Sequence, residues 1–435
     1  MDSASVQEGA GRVLFLLVMV LIYDILLFFY HLAVNIYSPF NKKASKWIAG
    51  RKGIIDKLKK QISIGDEIIW FHCASLGEFE QGRPIIERIK ADYPQYKILI
   101  SFFSPSGYEV RKDYAFADYI CYLPKDTGRN AREFIEVVSP KLVFFVKYEF
   151  WYHHLNAVRQ KEIPLYCISA IFREDQVFFK WYGSFFVEVL KMFSHIYVQD
   201  EESKSKISEL GVDAVSVAGD TRFDRVKANS QEVMDLPVLD HFKGDSKLLI
   251  AGSTWKEDEE SLVRLINTSD LDLKYVIAPH EISQTNIKRL EDSLQVASVR
   301  YSEAKSQAMD KYKVLIIDNM GLLSSIYRYA SIVYVGGAFG SGLHNILEPA
   351  VYGKPIIFGP DHKKFKEAGE LISDGGAFSI SNFDELKRKV RFLLADPYII
   401  KIASEISKTY VNKNTGATDK ILGSIPMFAN PENRQ

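Results

Sequence analysis

The sequence contains two successive tracts in which short apolar runs alternate with segments of helical spacing. The first tract begins with Glu67–Cys73, and the second begins with Lys247–Ala251. Strands that alternate with helices are typical of a parallel sheet with helices on both faces. The polar stretch Ala228–Gly244 lies between the tracts and has the composition of an interdomain linker. The alternation therefore predicts an α/β fold with two Rossmann-like domains that face a central cleft, and ligands are expected there, at the carboxyl ends of the strands.

The predicted organisation of the chain has four parts. Residues 1–40 form an N-terminal membrane anchor, and residues 41–227 form the first Rossmann-like domain. Residues 228–410 form the second such domain, and residues 411–435 form a C-terminal tail. The composition fits this plan, because a chain of 435 residues that is 47% hydrophobic can bury two large cores.

Charge and cysteine content exclude some classes of protein. Lys plus Arg and Asp plus Glu both number 55, so the net charge is zero. Nucleic-acid-binding domains are usually strongly basic, so no nucleic-acid partner is expected. The three cysteines are widely spaced and form no CxxC pair, which is typical of a reducing compartment.

The N-terminal segment Val13–Val34 is apolar over about the 20 residues that cross a hydrocarbon core. Asp24 near its middle is unfavourable in a membrane and leaves open a shallow or tilted insertion. A cleaved signal peptide is disfavoured, because the run is too long and no small-residue cleavage site follows it. Basic residues are concentrated after the run, at Lys42, Lys43, Lys46, Arg51, Lys52, Lys57, Lys59 and Lys60. Because positive residues favour the cytoplasmic side, the domains are expected there.

The stretch Val335–Pro360 carries the clearest signal of a binding site. A predicted strand ends in Gly336-Gly337, and two further glycines follow within five residues. Glycines let backbone amides approach a ligand closely, and a helix that begins near His344-Asn345 would favour a phosphate. Glu348 lies one turn further on, where a carboxylate can accept both hydroxyls of a ribose. Ordinary strand–helix turns can contain such glycines too, but the combination favours nucleotide binding.

A glycine-rich loop followed by H-N-x-L-E-P-A resembles the donor site of the GT-B glycosyltransferases. The chain further resembles the Kdo transferases, which move 3-deoxy-manno-octulosonic acid (Kdo) from CMP-Kdo to a lipid A precursor. The motifs that carry this resemblance follow the family's order over nearly the whole chain: Phe71–Pro84, Phe103–Tyr108, Tyr122–Asp126, Val146–Trp151, Gly219–Val226, Ala251–Glu260, Ala278–Glu281, Asp318–Leu323 and Val335–Pro360.

The resemblance implies that two carboxylates in the first domain are catalytic. Glu78, in the segment A-S-L-G-E, matches the family's catalytic base, which takes the proton of the attacking acceptor hydroxyl. Without the resemblance, the favoured interpretation of Glu78 is an acidic residue that stabilises a helix N-terminus. Glu149, in K-Y-E-F-W, is expected beside Glu78, and two carboxylates in one site push their pKa values apart.

The resemblance also assigns residues to the two substrates. Arg222 stands where the family often carries Lys, and Trp255 stands where many relatives have His. The implied donor-binding residues are Arg222, Ser253, Thr254, Pro279, His280, Met320, Gly321, Leu323, His344, Asn345 and Glu348. The implied acceptor-binding residues are Arg83, Ser104, Ser106, Gly107 and Lys125. No metal and no cofactor are expected, because CMP leaves as a monophosphate and no Asp-x-Asp pair stands out.

The function implied is an inverting transfer of Kdo from CMP-Kdo to lipid IVA, in lipopolysaccharide synthesis at the cytoplasmic side of the inner membrane. Three alternatives stay open: a UDP-GlcNAc epimerase of the GT-B fold, another nucleotide-sugar transferase, and a membrane-tethered sugar-nucleotide sensor without catalysis. The membrane anchor and the A-S-L-G-E segment argue against the epimerase. The presence of Glu78 argues against the sensor.

Overall fold

The chain forms two compact units. In the computed structural model, residues 3–147, 149–232, 234–304 and 309–429 are described, with side chains from Leu14 onward. The first unit comprises Met1–Arg225 together with Gly416–Gln435, and the second comprises Val226–Thr415.

The first unit is built on a seven-stranded sheet in which all strands are parallel. Its strands are β1 (Ile68–Cys73), β2 (Lys97–Phe102), β3 (Tyr119–Tyr122), β4 (Leu142–Val146), β5 (Leu165–Ala170), β6 (His195–Val198) and β7 (Val215–Val217). Their order is β3-β2-β1-β4-β5-β6-β7, so the direction of winding reverses between β1 and β4. Every residue of β1, β4 and β5 is buried, as expected of a parallel sheet covered on both faces.

Helices cover this sheet and precede it. They are α1 (Ser3–Tyr37), α2 (Lys42–Ala49), α3 (Ile54–Gln61), α4 (Leu76–Asp92), α5 (Pro105–Arg111), α6 (Gly128–Val138), α7 (Tyr152–Gln160), α8 (Ser184–Leu190), α9 (Glu201–Ser208) and α10 (Thr221–Gln231). The apolar face of α6 is typical, because Ala131, Phe134, Ile135 and Val138 recur at helical spacing and are all buried.

The second unit repeats this plan with a second parallel seven-stranded sheet. Its strands are β8 (Leu248–Thr254), β9 (Lys274–Pro279), β10 (Ser298–Arg300), β11 (Val314–Ile316), β12 (Ile332–Val335), β13 (Ile356–Phe358) and β14 (Ala377–Ser379). Their order is β10-β11-β9-β8-β12-β13-β14, and winding reverses between β8 and β12. Its helices are α11 (Pro237–Lys243), α12 (Lys256–Thr268), α13 (Gln284–Ser293), α14 (Leu323–Ile326), α15 (Leu347–Val351), α16 (Lys366–Asp374), α17 (Phe383–Ala395) and α18 (Pro397–Asn414). The predicted α/β class is confirmed.

The segment expected to be a C-terminal tail contains two further helices, α19 (Ala417–Ser424) and α20 (Pro426–Ala429), which belong to the first unit. The carboxylate of Asp224 accepts hydrogen bonds from the backbone N–H groups of Gly416 and Thr418, at 2.5 and 2.7 Å. Ile421 and Phe428 are buried against the first sheet's core. These few apolar residues are enough to order the segment as far as Ala429.

The segment Leu14–Phe40 lies mostly in α1 and ends just after it. It is long and apolar enough to cross a membrane, with a mean hydropathy of 2.3. One stripe of α1 packs on the first unit's core through Leu16, Met19, Val20 and Tyr23. The Tyr23 hydroxyl donates to Asp126 at 2.6 Å, and Asp24 pairs with His153 Nε2 at 2.6 Å. Asp24, which looks unfavourable in the sequence, therefore has a partner on α7.

Candidate active site

The two proposed catalytic carboxylates follow neighbouring strands of the first sheet. Glu78 lies after β1, and Glu149 lies after β4, on either side of the point where winding reverses. The carboxyl ends of parallel strands at such a point form the usual binding crevice of an open α/β sheet. The sheet thus brings together two residues that are 71 positions apart in the sequence.

Glu78 is the third residue of α4, and one oxygen of its carboxylate caps the helix. Its Oε2 accepts hydrogen bonds from the backbone N–H groups of Ala74 at 2.5 Å and Ser75 at 3.2 Å. Among the residues that the structure describes, none bonds to the other oxygen, Oε1. Burial raises the pKa of Glu78, while the Lys147 ammonium and the two N–H groups oppose that rise. The helix-capping role is therefore real, and it leaves one oxygen for chemistry.

Lys147, which the sequence analysis passed over, is the nearest source of positive charge identified for Glu78. It follows β4 with a φ of +65°, a conformation that is uncommon for a residue with a side chain. Its N–H donates to Ile168 O at 2.8 Å, and its carbonyl accepts from Cys167 Sγ at 2.6 Å, so this backbone is fixed. Burial lowers the pKa of Lys147, and the charge of Glu78 opposes that effect. A lysine directly after a buried strand is the sequence signal that could have identified it.

Glu149 has the larger perturbation of the two carboxylates. Burial, followed by the negative charge of Glu78, raises its pKa to about 7. One carboxylate in this pair is thus suited to remain ionised while the other carries a proton near neutral pH.

We expect Glu149→Gln to stabilise the first unit at alkaline pH. Because the folded pKa of about 7 exceeds the ordinary 4.5, the penalty for ionising Glu149 is absent at low pH. That penalty grows as pH rises from about 4.5 to about 7 and is constant above. The variant should therefore gain on the order of 2 kcal/mol over the wild type at pH 8 and little at pH 4.5. Urea unfolding at several pH values measures this difference, and a gain that does not vary with pH would contradict it. The exposed control Glu202→Gln should show no gain.

Arg222 lies in the first unit, although it was expected to bind the donor. Its guanidinium bonds to the Asp220 carboxylate at 2.7 and 2.8 Å, directly after β7. The positive charge of Arg222 lowers the pKa of Lys147, and the negative charge of Asp220 raises it. Arg222 is therefore grouped with Glu78 and Lys147, whereas the other ten donor candidates all lie in the second unit.

The acceptor candidates divide into three places on the first unit. Ser104 N donates to Ala74 O at 2.7 Å, so Ser104, Ser106 and Gly107 lie beside the loop that carries Glu78. Arg83 is bound by Glu87 at 2.7 Å and by Glu80 at 3.5 Å. Lys125 lines a different cavity of about 560 Å³, together with the basic residues Lys52 and Arg129.

The glycine loop of the second unit leaves β12 at the point where that sheet reverses. Gly336 N donates to Gly252 O on β8 at 2.9 Å, and Gly342 N donates back to Gly337 O at 2.8 Å. Gly337 and Gly342 have φ values of +93° and +96°, which only glycine adopts without strain. The loop is thus closed on itself, directly beside the end of β8.

A buried carboxylate that the sequence analysis missed holds this loop in place. Asp258 Oδ2 accepts the backbone N–H groups of Gly337 and Trp255, both at 2.9 Å. Its Oδ1 accepts the hydroxyl of Tyr334 at 2.7 Å. Asp258 is the third residue of α12, so a capping position after a strand was the available signal.

The remaining donor candidates surround the ends of β8, β9, β11 and β12. Asn345 Nδ2 donates to Glu348 Oε1 at 3.2 Å, and Asn345 Oδ1 accepts the N–H of Leu347, where α15 begins. Thr254 is buried and its hydroxyl donates to Glu259 at 3.0 Å, whereas Ser253 has a strained φ of +53°. Pro279 ends β9 and His280 follows it, whereas Met320 and Gly321 lie between β11 and α14 and Leu323 begins α14.

Comparison with known proteins relates the chain to the Kdo transferases. A family profile described as 3-Deoxy-D-manno-octulosonic-acid transferase (kdotransferase) matches residues 46–225. The chain is 28% identical over 392 residues to the 3-deoxy-D-manno-octulosonic acid transferase of Rickettsia felis, an alignment that covers 86% of this chain and 82% of that one. It is also 28% identical to the enzyme of the same name from Aquifex aeolicus, over 79% of this chain and 92% of that one. The chain is thus similar to Kdo transferases over more than three quarters of its length.

Solved structures of other enzymes share the fold of this chain. UDP-GlcNAc 2-epimerase from Neisseria meningitidis, solved with UDP-GlcNAc, superposes with a TM-score of 0.58 at 16% identity, covering 82% of this chain and 98% of that one. A glycosyltransferase from Rickettsia africae superposes with a TM-score of 0.53 at 14% identity, covering 82% of this chain and 97% of that one. The predicted GT-B fold is thereby confirmed, and at this identity the likeness concerns the fold alone.

Proposed function

We propose that this protein is a Kdo transferase that moves Kdo from CMP-Kdo to lipid IVA, a lipid A precursor, by an inverting displacement. The observation that carries the proposal is Glu78, whose carboxylate is partly desolvated, fixed through Oε2 and available through Oε1. A base must hold its proton-accepting oxygen in place and keep it unprotonated at working pH. Two backbone N–H groups and Lys147 supply both conditions.

The reaction needs a single displacement at the anomeric carbon of Kdo. Glu78 Oε1 takes the proton of the acceptor hydroxyl as the oxygen forms its bond to that carbon. The bond from the carbon to the phosphate oxygen breaks with its electron pair, and CMP leaves. Attack from the face opposite the leaving group inverts the configuration. Ser104, Ser106 and Gly107 lie beside the Glu78 loop and would orient the acceptor.

The second unit would hold the nucleotide at the carboxyl ends of β8, β9, β11 and β12. The glycine loop lets a ligand approach its backbone closely, which suits the phosphate, and the Asn345–Glu348 pair suits the ribose hydroxyls. Within the described ranges, no group of three or more His, Cys, Asp or Glu side chains is placed to hold a metal ion. We propose a metal-independent reaction because CMP leaves as a monophosphate, and we propose that Arg222 and Lys147 offset the charges of the donor.

The deciding experiment supplies labelled CMP-Kdo and lipid IVA to the purified protein. Appearance of Kdo-bearing lipid with an inverted anomeric linkage would support the proposal, and its absence would overturn it. Thermal unfolding separates the alternatives, because a bound ligand stabilises the folded protein. CMP should raise the melting temperature more than UDP does, whereas a UDP-GlcNAc epimerase should show the reverse order.

We further propose that α1 anchors the protein to the cytoplasmic face of the inner membrane. The face of α1 opposite the packed stripe is apolar and exposed, with Leu21 60% and Phe28 63% accessible. The basic residues of α2 and α3 follow directly, where anionic headgroups would attract them.

Two acidic substitutions on this face, Leu21→Asp with Phe28→Asp, are expected to release the protein from membranes. Each removes an apolar side chain worth about 1.5–3 kcal/mol of burial and adds a charge that hydrocarbon disfavours. Partition into lipid vesicles should fall by about 100-fold or more, as measured by co-sedimentation. Ile64→Asp changes an exposed apolar residue outside α1 and is the control. Equal partition of both variants would contradict the proposed anchor.

A further inference from the structure

Three aromatic rings form a compact layer beside the glycine loop, and we call Trp255, His280 and His344 the Trp–His layer. Trp255 Nε1 lies 3.0 Å from His344 Nε2, and the two rings are tilted by only 10°. Their centroids are 6.4 Å apart, so these rings lie side by side in nearly one plane. The His280 ring covers both, with centroids 4.6 Å from each.

The chemistry of the 3.0 Å contact fixes the direction of the hydrogen bond. An indole N–H can only donate, so His344 Nε2 must present a lone pair. An imidazole with a bare Nε2 is neutral and carries its proton on Nδ1. A cationic His344 would place an N–H opposite the N–H of Trp255, which repels it.

The surroundings of His344 favour the same neutral state. Burial, and after it the charge of the adjacent His280, lowers the pKa of His344 to about 4. The two acids on neighbouring elements are already engaged, Asp258 by backbone N–H groups and Glu348 by the amide of Asn345.

The Nδ1 atom of His344 is the free end of this arrangement. Within the part of the chain that the structure describes, no group accepts a hydrogen bond from it. His344 N also donates to Gly336 O at 3.3 Å, which places the residue at the base of the glycine loop. A Cβ built on Gly337 would lie 2.9 Å from His344 Cδ2, so the ring is packed directly on that loop.

We propose that Trp255 is a positioning residue that fixes His344 as a neutral hydrogen-bond donor, with its Nδ1–H directed to the phosphate of the bound nucleotide. His344 then binds the anion through the dipole of its neutral ring and not through a positive charge. The inference deepens the proposed function and rests on it, because the anion is the phosphate of CMP. It also gives Trp255 a role at a position where the family's usual residue is absent.

The first test reads the tautomer without any ligand. The full-length protein in detergent, labelled with 15N-histidine, should show His344 protonated at Nδ1 and bare at Nε2 from pH 6 to 8. His344→Gln assigns the resonance among the nine histidines. A wild-type His344 that is cationic, or protonated at Nε2, at pH 7 would overturn the inference.

The second test measures CMP affinity by calorimetry for the wild type and Trp255→Phe. Phenylalanine keeps an aromatic ring and removes the N–H, so affinity should fall about 3- to 10-fold at pH 7.5. Labelled with 15N-histidine, the variant should also show a mixture of Nδ1- and Nε2-protonated His344 at pH 7.5, because no N–H then points at Nε2. A change in ring packing alone would leave the tautomer as it is in the wild type. The exposed Trp181 supplies the control Trp181→Phe, which should bind CMP as the wild type does.

The two possible failures are distinguishable. If wild-type protein does not bind CMP, the proposed function is overturned together with the phosphate contact. If wild-type protein binds CMP and Trp255→Phe binds it equally well, only the role of Trp255 is overturned.

Discussion

Glu78→Gln is expected to lower the rate of Kdo transfer by about 10²- to 10⁴-fold, the range of a general base, while CMP binding is unchanged. Glutamine has nearly the shape of glutamate, and glutamine also occupies the third position of helix capping boxes. Its amide oxygen can accept the N–H groups of Ala74 and Ser75 as Glu78 Oε2 does. The variant therefore separates the capping role from the catalytic one.

Radiolabel transfer from CMP-Kdo measures the rate, and the melting temperature reports on folding. Glu202→Gln is the matched control, because Glu202 lies on α9 of the same unit with its side chain 70% exposed. If Glu78→Gln kept more than about a third of the wild-type rate, Glu78 would be a helix cap and not the base. If it lost its fold, the capping role would dominate, and the lower melting temperature would show it.

Gly336→Ala is expected to weaken nucleotide binding by the second unit. A Cβ at Gly336 would lie 2.4 Å from Ser253 O, 2.7 Å from Thr254 Cα and 2.8 Å from Asp258 Oδ2. Two of these atoms belong to the backbone and cannot move aside like a flexible side chain. We expect a loss of about 1–3 kcal/mol in stability from the overpacking. The CMP affinity should fall by at least about tenfold, because the loop must leave Asp258 to make room.

The control for this prediction is Gly369→Ala in α16. Nothing lies within 4 Å of a Cβ built there, and alanine favours helices over glycine by about 0.5–1 kcal/mol. Gly369→Ala should therefore match or exceed the wild type in melting temperature and bind CMP normally. Equal CMP affinity in the two variants would show that the close approach at Gly336 does not constrain the loop.

The alternation of apolar runs predicted both sheets because each strand carries its own local pattern. The family resemblance singled out Glu78 and Glu149, and both come after buried strands of the first sheet, whose parallel strands end at one edge. Lys147 escaped notice because its importance depends on a left-handed backbone and on a neighbour on another strand. The pairing of Trp255 with His344 likewise joins residues that are 89 positions apart.

Asp24 in α1 shows the same limit of prediction from local sequence. Asp24 in an apolar run is costly if the helix is surrounded by lipid, and the local sequence offers no partner. The partner is His153, which is 129 residues away on α7. The segment after residue 411 also looked like a tail, because its burial depends on contacts with the first unit that are remote in sequence.

Helices α19 and α20 have a consequence for the order in which the protein can fold during translation. Gly416–Ala429 completes the first unit, yet Val226–Thr415 must be synthesised between the two parts of that unit. At about 5–20 residues per second, the ribosome needs on the order of ten seconds or more to supply the missing helices. Through that interval the face that receives Ile421 and Phe428 is bare, while α1 has long since emerged. The nascent chain can thus reach the lipid before its first core is sealed.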